Sequence, residues 1–352
     1  MKVLGIDASR SLREKPTGVE RYSSEIIKAI LELKPKLRVR LYLPKESAFF
    51  AKNLQKVLRG RRLWTLWSLS KEMWKNKPDA LFVPSHVLPF FTPDNSFTMI
   101  HDVSFMKYPE AYGKFQRFYL EWSTRRAVKN CAMIFTPTDA VAKDLELFFG
   151  AKNVKVIHHG PLELEKCKNP SEVLKKLGIS KNENVFFYLG RIEKKKNLKV
   201  LLAAWKIFRK KFPFSKLIIG GGNGYGYEEI HAEFDEAVIA PGFLSEQEVS
   251  AVFSVATAFI LPSLDEGFGM PILQAFEAGC PVICSSIPAL TEIAEDASLY
   301  ARDSKEFASK MTDLIKNREL REELIFAGKE QLKKFSWEKS AKAAMFEIEK
   351  TL

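Results

Sequence analysis

TAFILPSLDEGFGMPILQAFEAGCPVICSS, residues 257–286, decides the fold. An apolar run ending in Pro262 and Ser263 is followed by a glycine loop, an apolar-periodic segment and a second apolar run, CPVICSS. That order is strand, loop, helix, strand, the repeating unit of a parallel sheet. Gly267 and Gly269 let backbone N–H groups approach a ligand, and Pro271 suits the first turn of the helix. The positive end of such a helix favours an anion such as diphosphate, and Glu266 would then face sugar hydroxyls rather than phosphate. An ordinary strand-to-helix turn with a solubilising glutamate has the same local spelling, so the surrounding pattern has to choose.

Upstream lie the strand-like runs VFFYLGR (185–191), KLIIGGG (216–222) and AVIAPGF (237–243), and a short strand is expected near 298–301. Helical patterns fall at 197–212, 245–254, 271–278 and 304–317, and 318–352 reads as helical throughout. The first half repeats the scheme with KVLGID (2–7), RVRLYLP (38–44), DALFVP (79–84), SFTMIHD (96–102) and AMIFTPT (132–138). VKVIHHG (154–160) restarts the pattern before a polar connector at 163–170. The expected fold class is α/β with two Rossmann-like domains, residues 1–164 and 165–334, and a terminal helix at 335–352 crossing back to the first. Ligands of such sheets lie beyond the carboxyl ends of the strands, here in the cleft where two sheets face one another.

A length of 352 residues favours two domains, and 46% apolar residues supply cores that a disordered chain lacks. The four cysteines form no CxxC pair, and no histidine spacing beside them suits zinc, so neither disulfides nor structural zinc are expected. Asp7 and Arg10 interrupt the apolar start too early for a signal peptide, and no apolar stretch approaches a membrane span. A cytoplasmic protein is expected. GGGNGYGY (220–227) fits GxGxxG in no register, which argues against a nicotinamide enzyme, and no GxxxxGK[ST] occurs.

Beyond VFFYL, Arg191 and Lys196 can neutralise a leaving diphosphate, whereas Lys194 and Lys195 read as a solvated loop. GRIEKKKNL (190–198), PGFLSEQEV (241–249) and LPSLDEGFGMPILQAFEAGCPVICS (261–285) occur in the order and spacing of family 4 glycosyltransferases. The chain resembles that retaining, GT-B family over nearly its whole length. GIDASRSLREKPTGVERYSSEI (5–26), IHDVSFMKYPE (100–110), FTPTDAVAKDL (135–145) and KKFSWEKSAKA (333–343) extend the match, and residues 45–78 match least.

The resemblance implies a nucleotide-diphosphate sugar as co-substrate, held mainly by the second domain, an acceptor held by the first, and retention of anomeric configuration. No resident cofactor or catalytic metal is implied, and the chain has no Asp-x-Asp triplet to chelate a metal diphosphate. By similarity Arg191 and Lys196 hold the diphosphate, with Gly267, Phe268 and Gly269 as the phosphate-facing loop. Glu266 meets the donor sugar, and backbone at Gly242, Phe243 and Leu244 borders the base. His101 matches the family's histidine near the reacting sugar, with Asp102 next to it. Gly18 belongs to the loop that approaches phosphate and acceptor, Arg21 reads as a helix-start residue and a candidate acceptor contact, and His86 is a weaker candidate. Glu20 reads as a helix-start residue. For His158, His159 and His231 the sequence alone suggests no catalytic partner.

One position departs from the family's E-x7-E pattern: Gln274 stands where a second glutamate accepts hydrogen bonds from ribose. An amide carbonyl accepts as well, without charge assistance. The competing reading is a catalytically silent, glycosyltransferase-like binding subunit, whose only sequence support is Gln274. The family leans towards mannose from GDP-mannose, then UDP-hexoses, and towards a glycan or lipid-linked glycan acceptor.

Net charge is +12, and residues 28–79 carry 14 basic and 4 acidic side chains, so nearly all of it is concentrated there. Trp64, Trp67 and Trp74 share a helical face in this stretch, alongside Arg59, Arg61, Arg62, Lys71 and Lys75. An anionic membrane surface, met peripherally on the cytoplasmic side, is one expectation, and tryptophans packed on the sheet with cations in water is the other. No nucleic-acid reader motif accompanies the charge.

Overall fold

The computed structural model describes every residue except 13–15, 61–62 and 181–182. Its first sheet holds β1 (Val3–Asp7), β2 (Arg38–Leu43), β3 (Gln55–Val57), β4 (Ala80–Val83), β5 (Ser96–Met99), β6 (Met133–Thr136) and β7 (Val154–Val156), ordered β3-β2-β1-β4-β5-β6-β7. The second holds β8 (Asn184–Leu189), β9 (Ser215–Gly220), β10 (Val238–Gly242), β11 (Ala256–Leu261), β12 (Val282–Ser285) and β13 (Ser298–Ala301), ordered β10-β9-β8-β11-β12-β13. All pairings are parallel. Helices cover both faces, which is why ALFV of β4 and VICS of β12 are buried at every position. Strand order reverses between β1 and β4 and again between β8 and β11, and these reversals are the ligand crevices of doubly wound sheets.

The chain forms two compact units: Met1–Lys107, Lys114–Gly160 and Phe335–Leu352 make one, Tyr108–Gly113 and Pro161–Lys334 the other. The change of unit falls after Gly160 rather than near residue 165. VKVIHHG supplies the last strand of the first sheet, where Val154 pairs with Ile134 of β6. β3 and the helix Pro288–Ala294 were not legible, being short and without clear periodicity.

Residues 318–352 are not one helix. They form Arg318–Leu332 and Trp337–Lys350, separated where the Ser336 side chain accepts from the Lys339 N–H and caps the second. On that terminal helix Ala341, Ala344, Met345 and Ile348 follow the i, i+3, i+4, i+7 spacing and share a core with Leu4, Ile26 and Ile30 of the first unit. Each large apolar side chain so buried contributes about 1.5–3 kcal/mol.

Candidate functional site

In the second unit the loops beyond the strands are tied into one platform. The buried Tyr188 hydroxyl donates to the Arg191 carbonyl at 2.8 Å. Gly190 N–H donates to Gly220 O (2.9 Å), Ile192 N–H to Gly222 O (3.0 Å) and Gly224 N–H to Ile192 O (2.8 Å), so the ladder between β8 and β9 runs on past the strand ends. Gly221 sits at φ +138°, where a Cβ would overlap the Gly190 carbonyl, and its N–H reaches Gly242 O at 2.7 Å. Only glycine fits there.

Across the reversal point, Leu264 N–H donates to Lys195 O at 3.0 Å and brings the post-β11 loop onto the turn Lys194–Lys196. Lys196 Nζ lies 2.7 Å from Glu266 Oε1, and the Ser263 hydroxyl donates to the same oxygen at 2.7 Å. These two charged side chains are only 17% and 11% exposed. Burial alone would raise the Glu266 pKa, but Lys196 and Lys195 outweigh it and hold the carboxyl below its ordinary value, so it is ionised at neutral pH.

Gly269, at φ +83°, then starts the helix Met270–Glu277 with Pro271 in its first turn, and the Ile272 N–H donates to Gly269 O at 2.8 Å. Gln274 lies one turn further on, 6% exposed, and its side-chain amide has no hydrogen-bond partner among the described residues. Arg191 is exposed, 3.9 Å from Glu193. Gly242 is left-handed at φ +80°, Phe243 is exposed, and the buried Leu244 side chain turns inward against Gly220. Phe268 is likewise buried, which limits its part in the loop to main-chain groups. One expectation is corrected: Lys195 is buried beside the Leu264 segment, while Lys194 does sit in solvent, paired with Glu229 at 2.9 Å.

In the first unit His101 follows β5, with Nε2 3.0 Å from Pro84 O. A carbonyl can only accept, so Nε2 carries the proton and Nδ1 presents a lone pair. Burial holds its pKa below the ordinary histidine value. His86, left-handed at φ 54° after β4, places Nε2 2.7 Å from Thr124 Oγ1, whose own hydrogen goes to Leu120 O at 2.8 Å, so His86 donates. Burial pushes its pKa down to about 4, opposed by Asp102. Asp102 also accepts from Ser104 N–H at 3.1 Å. His86, His101 and Asp102 therefore come together. Gly18 and Arg21 lie on the neighbouring helix Gly18–Glu32, whose Tyr22 meets the His101 ring edge-on at 4.8 Å.

Three residues here were missed. Glu20 is more than a helix-start residue: buried, it closes a capping box with Thr17 and pairs with Arg10 at 3.5 Å. Asp7, at the end of β1, accepts from Ser9 N–H (2.9 Å) and Thr65 Oγ1 (3.0 Å), and desolvation raises its pKa. His159 is buried against Tyr22 (4.5 Å) and stacks on Trp337 of the terminal helix at 6.1 Å. Nothing local could have announced that stack. The three tryptophans do not share a face: Trp64 is buried, donating to Leu58 O at 2.6 Å, whereas Trp67 and Trp74 are exposed. Arg61 and Arg62 lie outside the described residues.

Residues 171–331 match the family described as Glycosyl transferases group 1. At the level of sequence the chain is similar to O-antigen chain mannosyltransferase B of Escherichia coli, 24% identical over 375 residues, covering 95% of this chain and 96% of that protein. It is also 25% identical over 229 residues to O-antigen chain mannosyltransferase RfbU of Salmonella typhimurium, covering 63% of this chain and 60% of the relative. Among solved structures, sucrose-phosphate synthase of Thermosynechococcus elongatus superposes with a TM-score of 0.78 at 16% identity, over 100% of this chain and 99% of the other. WaaG, a glycosyltransferase involved in lipopolysaccharide biosynthesis, gives 0.74 at 13% identity, over 97% and 98%. Those likenesses establish the fold, two Rossmann-like units of the GT-B class.

Proposed function

We propose that the protein is a retaining, metal-independent glycosyltransferase that moves a hexose from a nucleotide-diphosphate sugar to a glycan or lipid-linked glycan in the cytoplasm. Mannose from GDP-mannose is the first choice of donor, supported by the mannosyltransferase relatives, and a UDP-hexose the second. The observation that carries the reading is the Lys196–Glu266–Ser263 cluster set at the N-terminal end of the helix Met270–Glu277.

The electrostatic problem in sugar transfer is the negative charge that grows on the departing diphosphate. Arg191, Lys196 and the N–H groups around Gly267, Phe268 and Gly269 meet it. Without ligand, Lys196 is neutralised by Glu266. A diphosphate competes for that ammonium and releases the carboxylate to accept from sugar hydroxyls, so donor binding itself arms Glu266. The unpartnered amide of Gln274 accepts from ribose, and Gly242, Phe243 and Leu244 border the base by their backbone. In the first unit, the lone pair on His101 Nδ1 accepts from a sugar hydroxyl, while Gly18, Arg21, His86 and Asp102 hold the acceptor. No resident cofactor takes part.

A panel of nucleotide sugars, read by thermal shift and by nucleotide release, tests this. GDP-mannose should raise the melting temperature and release GDP once acceptor is added. If no donor is transferred or slowly hydrolysed, the enzyme reading fails and the silent binding subunit takes its place.

A further inference from the structure

The first unit carries an aromatic face that its own core leaves uncovered. In the π-helical turn Thr65–Leu69 and the helix Ser70–Lys75 that continues it, Leu66, Leu69 and Met73 are buried. Trp67 and Trp74, two turns apart, point outward and are 65% and 69% exposed. Ser70 Oγ accepts from Phe90 N–H at 2.6 Å, which draws the loop after β4 alongside. The Phe90 ring lies 5.6 Å from Trp67 and 6.1 Å from Trp122. Trp122 belongs to the helix Lys114–Asn130, where Phe115, Phe118 and Trp122 follow the i, i+3, i+7 spacing of one stripe, the first two 82% and 68% exposed. Arg126, the next position of that stripe, stands 5.4 Å over Phe90 and 5.3 Å over Trp122. One aromatic surface thus joins three separate stretches of chain.

Its rim is cationic. Arg59, Lys71 and Lys75 are exposed beside the tryptophans, and Lys114, Arg125 and Lys129 are exposed on the second helix. The acids in these helices are already matched: Glu72 is buried against Lys56 at 2.5 Å and Glu121 pairs with Arg125 at 2.8 Å. A protein partner of ordinary composition needs no such ring of cations. Apolar rings at the acyl boundary with lysine and arginine among the headgroups are the arrangement that an anionic bilayer surface stabilises.

We propose that this face docks the protein on an anionic lipid surface. The turn that carries Trp67 is held by the Thr65–Asp7 hydrogen bond at the carboxyl end of β1, so the docked face is anchored to the end of the sheet from which the acceptor residues project. Docking does not depend on the transfer reaction, and its test contains no sugar.

The full chain is sedimented with vesicles of phosphatidylcholine alone and with about one third phosphatidylglycerol, at low and high salt. Binding is expected to the anionic vesicles at low salt and to be lost at high salt, with little to the neutral ones. Replacing two buried-on-docking rings, Trp67→Ala with Phe118→Ala, should lower partitioning at least roughly tenfold with the melting temperature unchanged. The charge variant Lys71→Glu with Lys75→Glu, confined to exposed side chains, should abolish the preference for anionic lipid even if the aromatic pair folds poorly. No pelleting at low salt, or unaltered binding by both variants, overturns the proposal. So does a dimer in sedimentation velocity that the aromatic variant dissociates while vesicles remain unbound, which would give the face to a second copy.

Discussion

Lys196 and Arg191 are assigned to the same diphosphate but stand in different surroundings, which makes their removal distinguishable. Lys196→Ala leaves the carboxylate of Glu266 buried without its closest cation, at a cost of about 1–3 kcal/mol in stability. Arg191 is exposed, and Arg191→Ala should leave melting unchanged. Both should lower turnover at least about tenfold, since a lost charge-assisted bond to the leaving group is worth upwards of ~1.4 kcal/mol. Calorimetry and steady-state kinetics on the two variants check this, and near-normal kinetics in both would remove the diphosphate assignment. At Gln274 the amide is enclosed and unpartnered, so its worth appears only with donor bound. Gln274→Glu should tighten donor binding modestly, the gain limited by repulsion from the diphosphate and Glu266. Gln274→Leu should weaken it. Titration calorimetry of the three proteins with one donor decides, and a leucine variant that binds like the parent takes Gln274 off the ribose.

Elements whose signal is contiguous in the chain were legible, and those defined by distant partners were not. The run from β11 to β12 spells strand, glycine loop and helix within thirty residues, and the structure follows it down to Gly269 at φ +83°. A lysine run, by contrast, looks the same whether it is solvated or buried. Lys195 is buried because the Leu264 N–H arrives from a loop far downstream. Asp7 and Thr65 meet only once β1 and the π-helical turn are side by side, and residues 45–78, with a three-residue strand and no alternation, offered no pattern from which to foresee it. The element most exposed to a single change is the ladder extension beyond β8 and β9. Gly221→Ala places a methyl against the Gly190 carbonyl at a backbone angle that alanine disfavours. A loss of about 2–4 kcal/mol is expected, with donor affinity falling more than stability alone explains. Unchanged donor titration in that variant would mean that the platform does not shape the site.

At the scale of the whole molecule the first unit is assembled from three pieces of chain, the last of them Phe335–Leu352. Its terminal helix contributes Met345 and Ile348 to the core at roughly 1.5–3 kcal/mol each, and Trp337 closes the stack on His159. Because a whole domain is stable by only about 5–15 kcal/mol, truncation after Lys334 should unfold the first unit and leave the second able to bind donor nucleotide. Limited proteolysis and calorimetry would read this as loss of one transition and survival of the other, and an intact first transition would contradict the role given to that helix. The same discontinuity orders events on the ribosome. At about 5–20 residues per second, residues 161–334 occupy the exit of the chain for on the order of ten to thirty seconds before the closing helix emerges. The first half of the nascent chain is therefore expected to wait, with the core surface meant for Ala341 to Ile348 open, while the second half is being made. For that interval the growing polypeptide would offer chaperones an apolar surface that the mature protein buries under its closing helix.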